Sequence, residues 1–321
     1  MTRPFVPTPF ARELLLHIRR WRAMREHGDA EVAVSPFWDT WTDGIHPDFR
    51  SLGERAMADD RVRPHAYLCA LHSSMAFAFN LFLPFRAGAD LAPALLGSVG
   101  ALEVHDVVFE WTPPGALLGE IDGDEPREDE RATGVDVLVR ATRPGGARVA
   151  LLVEVKLSEG GFTGCGGRRS PANRRTDLCD DAEAFFDDPS GCYLTRPVRK
   201  LRDRRYWSIF AAASGSVRRA FPGADLAGPC PFAGDAQQLM RQHAIALGLV
   251  QEGLAEEAWV VLVHHDDNPE VSAHWERWCR MLPEGARVAR VPASVLLETA
   301  RGQGLEAWAS WMSDRYRLEV R

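Results

Sequence analysis

Three ionisable side chains interrupt two apolar segments that otherwise have the composition of buried strands. Asp136 lies in the first segment, and Glu154 and Lys156 lie in the second. Burying such charges is costly unless they have partners. A turn at 143–146 joins the segments, and a turn centred near residue 145 places Asp136 opposite Glu154 to within one residue. Because side chains alternate along a strand, Glu154 and Lys156 share a face, so the three groups are predicted to meet in one patch.

The chemistry of this patch is that of a divalent-cation site. Two neighbouring carboxylates raise each other's pKa unless a cation lies between them, and oxygen ligands favour Mg²⁺ or Mn²⁺. Such an ion polarises a phosphate and lowers the pKa of bound water, while an adjacent ammonium orients that water or stabilises developing charge. We therefore expect Asp136 and Glu154 to bind Mg²⁺, and Lys156 to assist the water, in phosphodiester hydrolysis.

The elements that must position these residues follow from the hydrophobic periodicity. An apolar helix is predicted first, then three strands separated by turns, then a second helix and a fourth strand. This order implies an α/β protein with a mixed central sheet, flanked by further helices. The predicted ranges are 64–83 for the first helix, 102–111, 134–141 and 147–157 for the strands, 235–251 for the second helix, 258–264 for the fourth strand, 288–291 for a short fifth strand, and a helix at each end of the chain.

Asp136 on one predicted strand and Glu154-Val155-Lys156 on the next resemble the signature of the PD-(D/E)XK nuclease superfamily. The resemblance extends over residues 64–264 in the element order αβββαβ. It implies a restriction-endonuclease-like core and Mg²⁺-dependent cleavage of DNA. More specifically, the chain is similar to a bacterial group of PD-(D/E)XK endonuclease-like proteins that carry extra cysteines and a Gln-Leu-x-Arg helix.

Similarity to RecB-type members of the superfamily implies two further catalytic residues. Those members have a glutamate ahead of the catalytic strand pair and a glutamine on the helix that follows it. The matching candidates are Glu110, with Glu103 as its alternative, and Gln238, with Gln237 as its alternative. The tyrosine that usually accompanies the glutamine is absent, and Arg241 or Gln242 lies near its place.

Four cysteines fall in one Gly- and Pro-rich segment, at Cys165, Cys179, Cys192 and Cys230. Four thiols in a reducing compartment suggest one tetrahedral metal or cluster. The RecB-type resemblance implies a [4Fe-4S] cluster; structural Zn²⁺, which usually shows a Cys-x2-Cys knuckle that is absent here, and unliganded cysteines are the alternatives. Because the segment has few apolar residues, we expect the metal to replace its core. Cys69 and Cys279 lie in apolar helices and are expected to be ordinary core residues.

Positive charge is concentrated in the same segment, although the net charge of the chain is −7. Arginine suits phosphate contacts through its planar fork, and Tyr206 and Trp207 beside it either stack on unpaired bases or pack into the core. A charge run also commonly forms a solvated face. DNA is the expected partner. The predicted DNA-contacting residues are Arg199, Lys200, Arg202, Arg204, Arg205 and, on the following helix, Arg241.

A second charged cluster, at 264–267, follows the fourth strand and has the sequence His-His-Asp-Asp. Neighbouring residues on a strand face opposite ways, and no third ligand motif follows. We therefore interpret this cluster as a strand exit rather than a second metal site.

The 321 residues, 45% of them apolar, suffice for at least one large core. No apolar run approaches the ~18 residues of a membrane span and no signal peptide is recognisable, so a cytoplasmic protein without a membrane partner is expected. The predicted organisation is an N-terminal extension at 1–63, a nuclease core at 64–157 and 234–321, and a Cys/Arg-rich metal-binding insertion at 158–233.

Two other functions remain open. One is a nucleic-acid-binding module of a larger assembly, and the other is an iron-sulfur redox sensor on a nuclease-like fold. The intact Asp136, Glu154 and Lys156 favour the nuclease over the binding module. The chain has no Gly-rich phosphate loop, so a partner protein would have to supply targeting or ATP-driven unwinding.

Overall fold

A mixed five-stranded sheet forms the centre of the protein. The computed structural model describes residues 7–121, 132–195 and 204–319. The strands are β1 Glu103–Trp111, β2 Val135–Thr142, β3 Arg148–Lys156, β4 Glu257–His264 and β5 Val288–Pro292. They lie in the spatial order β1-β2-β3-β4-β5, antiparallel from β1 to β3 and parallel from β3 to β5. The predicted α/β class and mixed sheet are confirmed.

Helices cover both faces of this sheet. The α-helices of the described chain are α1 Pro9–His27, α2 Arg50–Asp59, α3 Ser74–Arg86, α4 Ala92–Val99, α5 Gly115–Leu118, α6 Gly166–Arg169, α7 Asp177–Asp180, α8 Ala182–Asp187, α9 Tyr206–Ser214, α10 Val217–Ala220, α11 Ala236–Gln251, α12 Pro269–Met281, α13 Ala293–Arg301 and α14 Glu306–Tyr316. The sequence α3-β1-β2-β3-α11-β4 reproduces the predicted order αβββαβ. Within the described ranges, no helix has both the length and the apolar character needed to cross a bilayer.

The pairing of β2 with β3 has the predicted register. Val137 lies opposite Val153 at the end of the ladder, so Asp136 and Glu154 occupy the next opposed positions. The hairpin turn centres on residue 145, as expected from the turn sequence. Register therefore brings the two carboxylates together at the point where the strands separate.

The two faces of the sheet carry separate hydrophobic cores. Val137 and Val153 pack in the core formed with α1, α3, α13 and α14. Leu138 and Leu152 pack on the opposite face, in the core formed with α9, α11 and α12. Because strand side chains alternate, Asp136 and Glu154 project to this second face, beneath α11.

Two predicted boundaries differ from the structure. The helix expected from residue 64 begins at Ser74, because 64–73 forms turns and the Ser73 hydroxyl caps the helix by accepting the Ala76 N–H at 3.2 Å. The segment 34–63, for which the sequence predicts no helix, contains α2. Propensity alone did not reveal α2, which is held against α3 and β1 by tertiary contacts.

The segment 158–233 contributes a group of aromatic rings to the core on the second face of the sheet. Phe232 lies with its ring centroid 5.7 Å from Phe185, 5.3 Å from Trp207 and 4.7 Å from Phe221. Phe221 in turn contacts Trp278 on α12. The expectation that a metal must replace a missing core is therefore wrong, because a few large aromatic residues fill the volume that the residue count suggested was absent. Tyr206 and Trp207 are buried in this core, so they are not available to stack on bases.

Candidate active site

Three carboxylates lie side by side where β1, β2 and β3 separate, and we call Glu110, Asp136 and Glu154 the carboxylate cluster. The pairs Phe109 with Val137 and Trp111 with Val135 bracket Glu110 and Asp136, so these two residues occupy opposed positions. Glu154 adds the third carboxylate from β3. One residue from each of three adjacent strands thus contributes a carboxylate to the cluster.

The carboxylates of the cluster repel one another. Burial and then the Glu154 carboxylate raise the pKa of Glu110 to about 7. Burial, followed by Glu154 and Glu110, raises the pKa of Asp136 well above its usual range, although Lys156 opposes the shift. When all three are ionised, the carboxylates therefore carry more negative charge than the single neighbouring lysine neutralises.

Backbone geometry directs two of these side chains. Asp136 Oδ2 accepts the Val155 N–H at 2.6 Å. The carboxylate thus takes the place of a backbone carbonyl as the hydrogen-bond acceptor at the point where β2 and β3 separate. Glu110 has φ +47°, in the left-handed region that a non-glycine residue seldom adopts within a strand. Such strain persists only where the surrounding structure enforces it, and it is concentrated at functional sites.

Glu154 is the most completely bonded member of the cluster. Its Oε1 accepts from Gln238 Nε2 at 2.6 Å and pairs with Lys156 Nζ at 2.7 Å. Its Oε2 accepts from Gln242 Nε2. Only 2% of Glu154 and 8% of Lys156 are exposed, so this network is shielded from bulk water.

Lys156 is held as an ammonium by its surroundings. Burial alone would lower its pKa, but Glu154, Glu159 and Asp136 together raise the pKa above the usual range for lysine. Its Nζ also lies 5.4 Å from the ring centroid of Phe162. The site therefore contains a buried cation that stays protonated at neutral pH.

The structure distinguishes between the alternatives that the sequence left open. Gln238, rather than Gln237, contacts Glu154. Glu103 lies opposite Thr142 at the other end of β1, remote from the separation point where Glu110 lies. Glu110 and Gln238 are thus the candidates that lie at the carboxylate cluster, while their catalytic roles stay predictions.

Sequence reasoning underestimated Gln242 and missed Glu159. Gln242 lies one helical turn after Gln238, and this i, i+4 spacing was the available signal that both amides face one target. Glu159 follows β3, and its Oε2 accepts the N–H groups of Leu157 and Ser158 at 2.9 and 3.0 Å. Its charge acts on Lys156, which no local pattern indicated.

A cleft of about 580 Å³ opens onto the cluster. Glu110, Asp136 and Glu159 line it together with residues of the segment 65–75. Glu154 is set behind them. A substrate approaching the carboxylates would enter through this cleft.

The donor set fits a hard divalent cation, because it consists of oxygen ligands with excess negative charge. Within the three described ranges, however, no three His, Cys, Asp or Glu side chains are already arranged to hold an ion. Glu154 has both oxygens engaged by glutamines and lysine. Binding an ion would thus require these side chains to adjust.

The predicted DNA-contacting residues divide into two groups. Arg199, Lys200 and Arg202 lie outside the described residues. The described arginines have internal contacts: Arg205 pairs with Glu252 at 3.0 Å, and Arg241 Nη1 donates to Thr133 Oγ1 at 3.0 Å. For Arg204 the contact is made by the backbone, since its main-chain N–H donates to the Thr195 carbonyl at 3.2 Å.

The four cysteines of the insertion approach one another in space. Burial, and then Cys192, Cys165 and Cys179, raise the pKa of Cys230 to about 12, against an opposing backbone hydrogen bond. Burial also raises the pKa of Cys192 to about 11, with smaller contributions from Cys165 and Cys179. Four segments that are distant in sequence therefore bring their thiols within electrostatic range.

Several of these sulfurs accept hydrogen bonds. The donors are the Leu194 N–H to Cys192, the Phe232 N–H to Cys230, and Asn173 Nδ2 to Cys179 at 3.5 Å. The thiols are nevertheless not in contact distance of a single ion in the described chain. The predicted preformed cysteine-metal cluster is thus not supported, and all six cysteines are free thiols.

Comparison with known proteins adds a family to this geometry. The model of the family REase-ARP, described as Restriction Endonuclease associating with ARP, matches residues 27–317. Comparisons with curated proteins and with solved structures gave no match. The family match implies the PD-(D/E)XK superfamily, while the RecB-type features stay predictions. Because the match covers most of the chain, the protein belongs to the REase-ARP family of restriction endonucleases.

Proposed function

We propose that the protein is a metal-dependent deoxyribonuclease that hydrolyses phosphodiester bonds at the carboxylate cluster. The observation that carries this proposal is the convergence of three carboxylates and Lys156 at the end of β3. Membership of a restriction-endonuclease family supports DNA as the substrate. The particular metal and the individual roles go beyond that membership.

Mg²⁺ or Mn²⁺ suits this donor set, with Asp136 and Glu154 as the residues that would hold it and Glu110 as a further ligand. When bound, such an ion polarises the scissile phosphate and lowers the pKa of the attacking water. The mutual repulsion within the cluster supports this assignment, because an added cation would relieve it.

Lys156 acts in this proposal through its charge and its hydrogen bonds. A lysine whose pKa is raised retains its proton, so it does not serve as a general base. Its ammonium instead orients the attacking water and stabilises negative charge that develops on the phosphate. Glu154 sets the position of that ammonium through the 2.7 Å ion pair.

Gln238 and Gln242 position the carboxylate of Glu154. Two amide donors on one helix face fix the orientation of the carboxylate plane relative to Lys156. Gln238 is itself held, because its Oε1 accepts the Thr163 N–H at 2.9 Å. We assign both glutamines as positioning residues, since neither is placed to contact the substrate directly.

DNA contact by the basic segment remains a proposal. Arg199, Lys200 and Arg202 are its principal candidates, because Arg205 and Arg241 already have partners within the protein. Neutralising all three should weaken binding irrespective of base sequence and flatten its salt dependence by about one unit of slope for each phosphate that is no longer neutralised. An unchanged slope would place this segment away from the DNA.

We also propose that Cys165, Cys179, Cys192 and Cys230 hold a [4Fe-4S] cluster, with Zn²⁺ as the alternative. The approach of four thiols and the N–H donors at their sulfurs support a thiolate centre at this position. Anaerobic purification followed by metal analysis and absorbance tests this. About four irons per chain supports the cluster, one zinc supports the alternative, and active protein with neither metal contradicts both.

The nuclease proposal is tested by incubating the purified protein with circular and linear DNA in Mg²⁺, Mn²⁺ or EDTA. We expect cleavage with either ion and none in EDTA. Cleavage of the circular form would show endonuclease action. DNA binding without cleavage under all conditions would contradict the proposal and favour a binding module.

A further inference from the structure

Two exposed aromatic rings lie on the wall of the cleft that leads to the carboxylate cluster. Phe37 is 45% exposed and Tyr67 is 62% exposed. Both line the same cleft as Glu110 and Asp136. Large aromatic side chains are normally buried, so two of them exposed beside a candidate active site require an explanation.

The exposure of Phe37 is built into the fold. Phe37 forms an antiparallel bridge with Ala70, and the flanking bonds from Trp38 N–H to the Cys69 carbonyl and from Leu71 N–H to the Pro36 carbonyl are 2.8 and 3.0 Å. The Phe37 carbonyl also accepts from the buried Arg22 at 2.9 Å. These contacts fix the backbone on which the ring is presented.

Tyr67 lies in the turn that leads into the bridge residue Ala70. Its N–H donates to His65 Nδ1 at 3.1 Å, and the two rings lie 5.5 Å apart. The Ala70 N–H donates to the Tyr67 carbonyl at 2.9 Å, which closes the turn onto the bridge with Phe37. The cleft therefore has an ordered aromatic wall.

A polar group in the cleft lacks a partner. Among the described atoms, Nδ1 of His72 is buried and makes no hydrogen bond, although His72 lines the cleft with Glu110 and Asp136. Burial lowers the pKa of His72, so the ring is neutral at pH 7 and presents one donor and one acceptor. A buried polar atom without a partner is costly, and a ligand that bonds to it would remove that cost.

Aromatic platforms of this kind bind nucleobases by stacking. Stacking requires an open base face, which a base within a duplex does not offer because its neighbours cover both faces. The phosphate joined to a stacked base would lie in the same cleft as the carboxylates of Glu110 and Asp136. The chemistry of the cleft thus matches an unpaired nucleotide more closely than a continuous duplex.

We propose that this cleft binds an unpaired nucleotide next to the scissile phosphate, so that the substrate is single-stranded DNA or a single-stranded segment of a duplex. The inference rests on the proposed nuclease function and specifies its substrate class. Phe37 and Tyr67 provide the stacking surface, and His72 lines the cleft beside them. The metal-dependent hydrolysis at the carboxylate cluster is unchanged.

The test compares one labelled oligonucleotide sequence as a single strand, a blunt duplex and a duplex with a single-stranded flap. With the wild type in Mg²⁺, the single strand and the flap should be cleaved at least about tenfold faster than the blunt duplex. The Phe37→Ala and Tyr67→Ala variants should each weaken single-strand binding by about tenfold, while Tyr67→Phe retains it. Leu96→Ala is the matched control, because Leu96 is 58% exposed on α4 and does not line the cleft.

A binding measurement separates this inference from the nuclease proposal. A single strand containing 2-aminopurine should lose fluorescence when a base stacks on the platform, in the absence of cleavage and with the Glu154→Gln variant as well as the wild type. That quenching should disappear in the Phe37→Ala/Tyr67→Ala double variant. If blunt duplex is cleaved as fast as the single strand, or if the double variant binds the single strand as the wild type does, the inference is wrong. Absence of cleavage on every substrate would contradict the nuclease proposal alone.

Discussion

The neighbouring ends of β3 and β4 show how similar residue types acquire different roles. The two strands are parallel, and Lys156 at the end of β3 is the register partner of His264 at the end of β4. Both ends are rich in ionisable side chains. At the end of β4, His265 Nε2 bonds to the Tyr316 carbonyl at 2.6 Å, and Asp266 Oδ2 accepts the Ser294 N–H at 3.2 Å.

The difference lies in how far each group of charges is satisfied within the fold. Burial lowers the pKa of both His264 and His265, so the rings are neutral and bond to the backbone. Near β3, burial and then the neighbouring carboxylates raise the pKa values of Glu110 and Asp136, so ionising all three carboxylates is unfavourable unless a cation is added. The two strand ends contain similar residue types. What distinguishes the candidate active site from the strand exit is which hydrogen-bond and charge partners these side chains have within the fold.

The largest contrast between the two ends should come from removing one charge at each. We expect Glu154→Gln to reduce DNA cleavage by at least about 100-fold, because the substitution removes a ligand charge and the partner of Lys156. The matched change Asp266→Asn should leave the cleavage rate within about twofold. Initial rates on one labelled single-stranded oligonucleotide measure both. Equal losses in the two variants would remove the distinction between the strand ends.

A similar loss of cleavage is expected for Lys156→Ala, without a comparable loss of binding. The ammonium stabilises charge in the reaction, whereas one cation among many contributes little to affinity. Fluorescence anisotropy of labelled DNA and the cleavage rate should therefore separate. Parallel losses of affinity and rate would show that Lys156 acts mainly as a DNA contact.

Smaller effects are expected where the positioning of Glu154 is weakened. Gln242→Leu and Gln238→Leu should each lower kcat by roughly tenfold with little change in KM, since a misplaced group costs rate more than binding. Gln251→Leu is the control on the same helix, because its amide donates to the Ile209 carbonyl at 2.8 Å, away from the cluster. If all three variants behaved alike, the effect would be general destabilisation of α11.

The smallest expected effect is a pH-dependent change in stability without metal. Folding raises the pKa of Glu110 from 4.5 to about 7, so the folded state binds the proton more tightly. The free energy of unfolding should accordingly fall as pH rises from about 4.5 to about 7. Glu110→Gln should remove part of this fall and stabilise the protein at pH 7.5 in EDTA by about 1–3 kcal/mol. Urea unfolding across this pH range checks it, and a fall of the same size in the variant would contradict it.

The part of the site formed by β2 and β3 was predictable because it depends on local sequence. A short turn at 143–146 between two apolar runs fixes the antiparallel register, and register alone brings Asp136 to Glu154. The alternation of side chains then places Lys156 on the same face. The parts of the site that follow from hairpin geometry were thus accessible from the sequence.

The remaining parts of the site depend on contacts between distant segments. Phe37 and Tyr67 reach the cleft through a bridge between irregular segments, which has no periodic signal. The strain at Glu110 is likewise visible only in the folded backbone. The aromatic core around Phe232 was missed because apolar residue counts do not register the volume of a few large rings.

Binding of Mn²⁺ by the wild type and by Asp136→Asn tests the central claim most directly, because that claim is an imbalance of charge at the carboxylate cluster. Paramagnetic resonance of free Mn²⁺ reports binding independently of DNA or cleavage. We predict that the wild type binds Mn²⁺ at the concentrations that support cleavage and that Asp136→Asn binds it at least about tenfold more weakly. Equal binding by the two proteins, or cleavage by a wild type that binds no ion, would contradict the account.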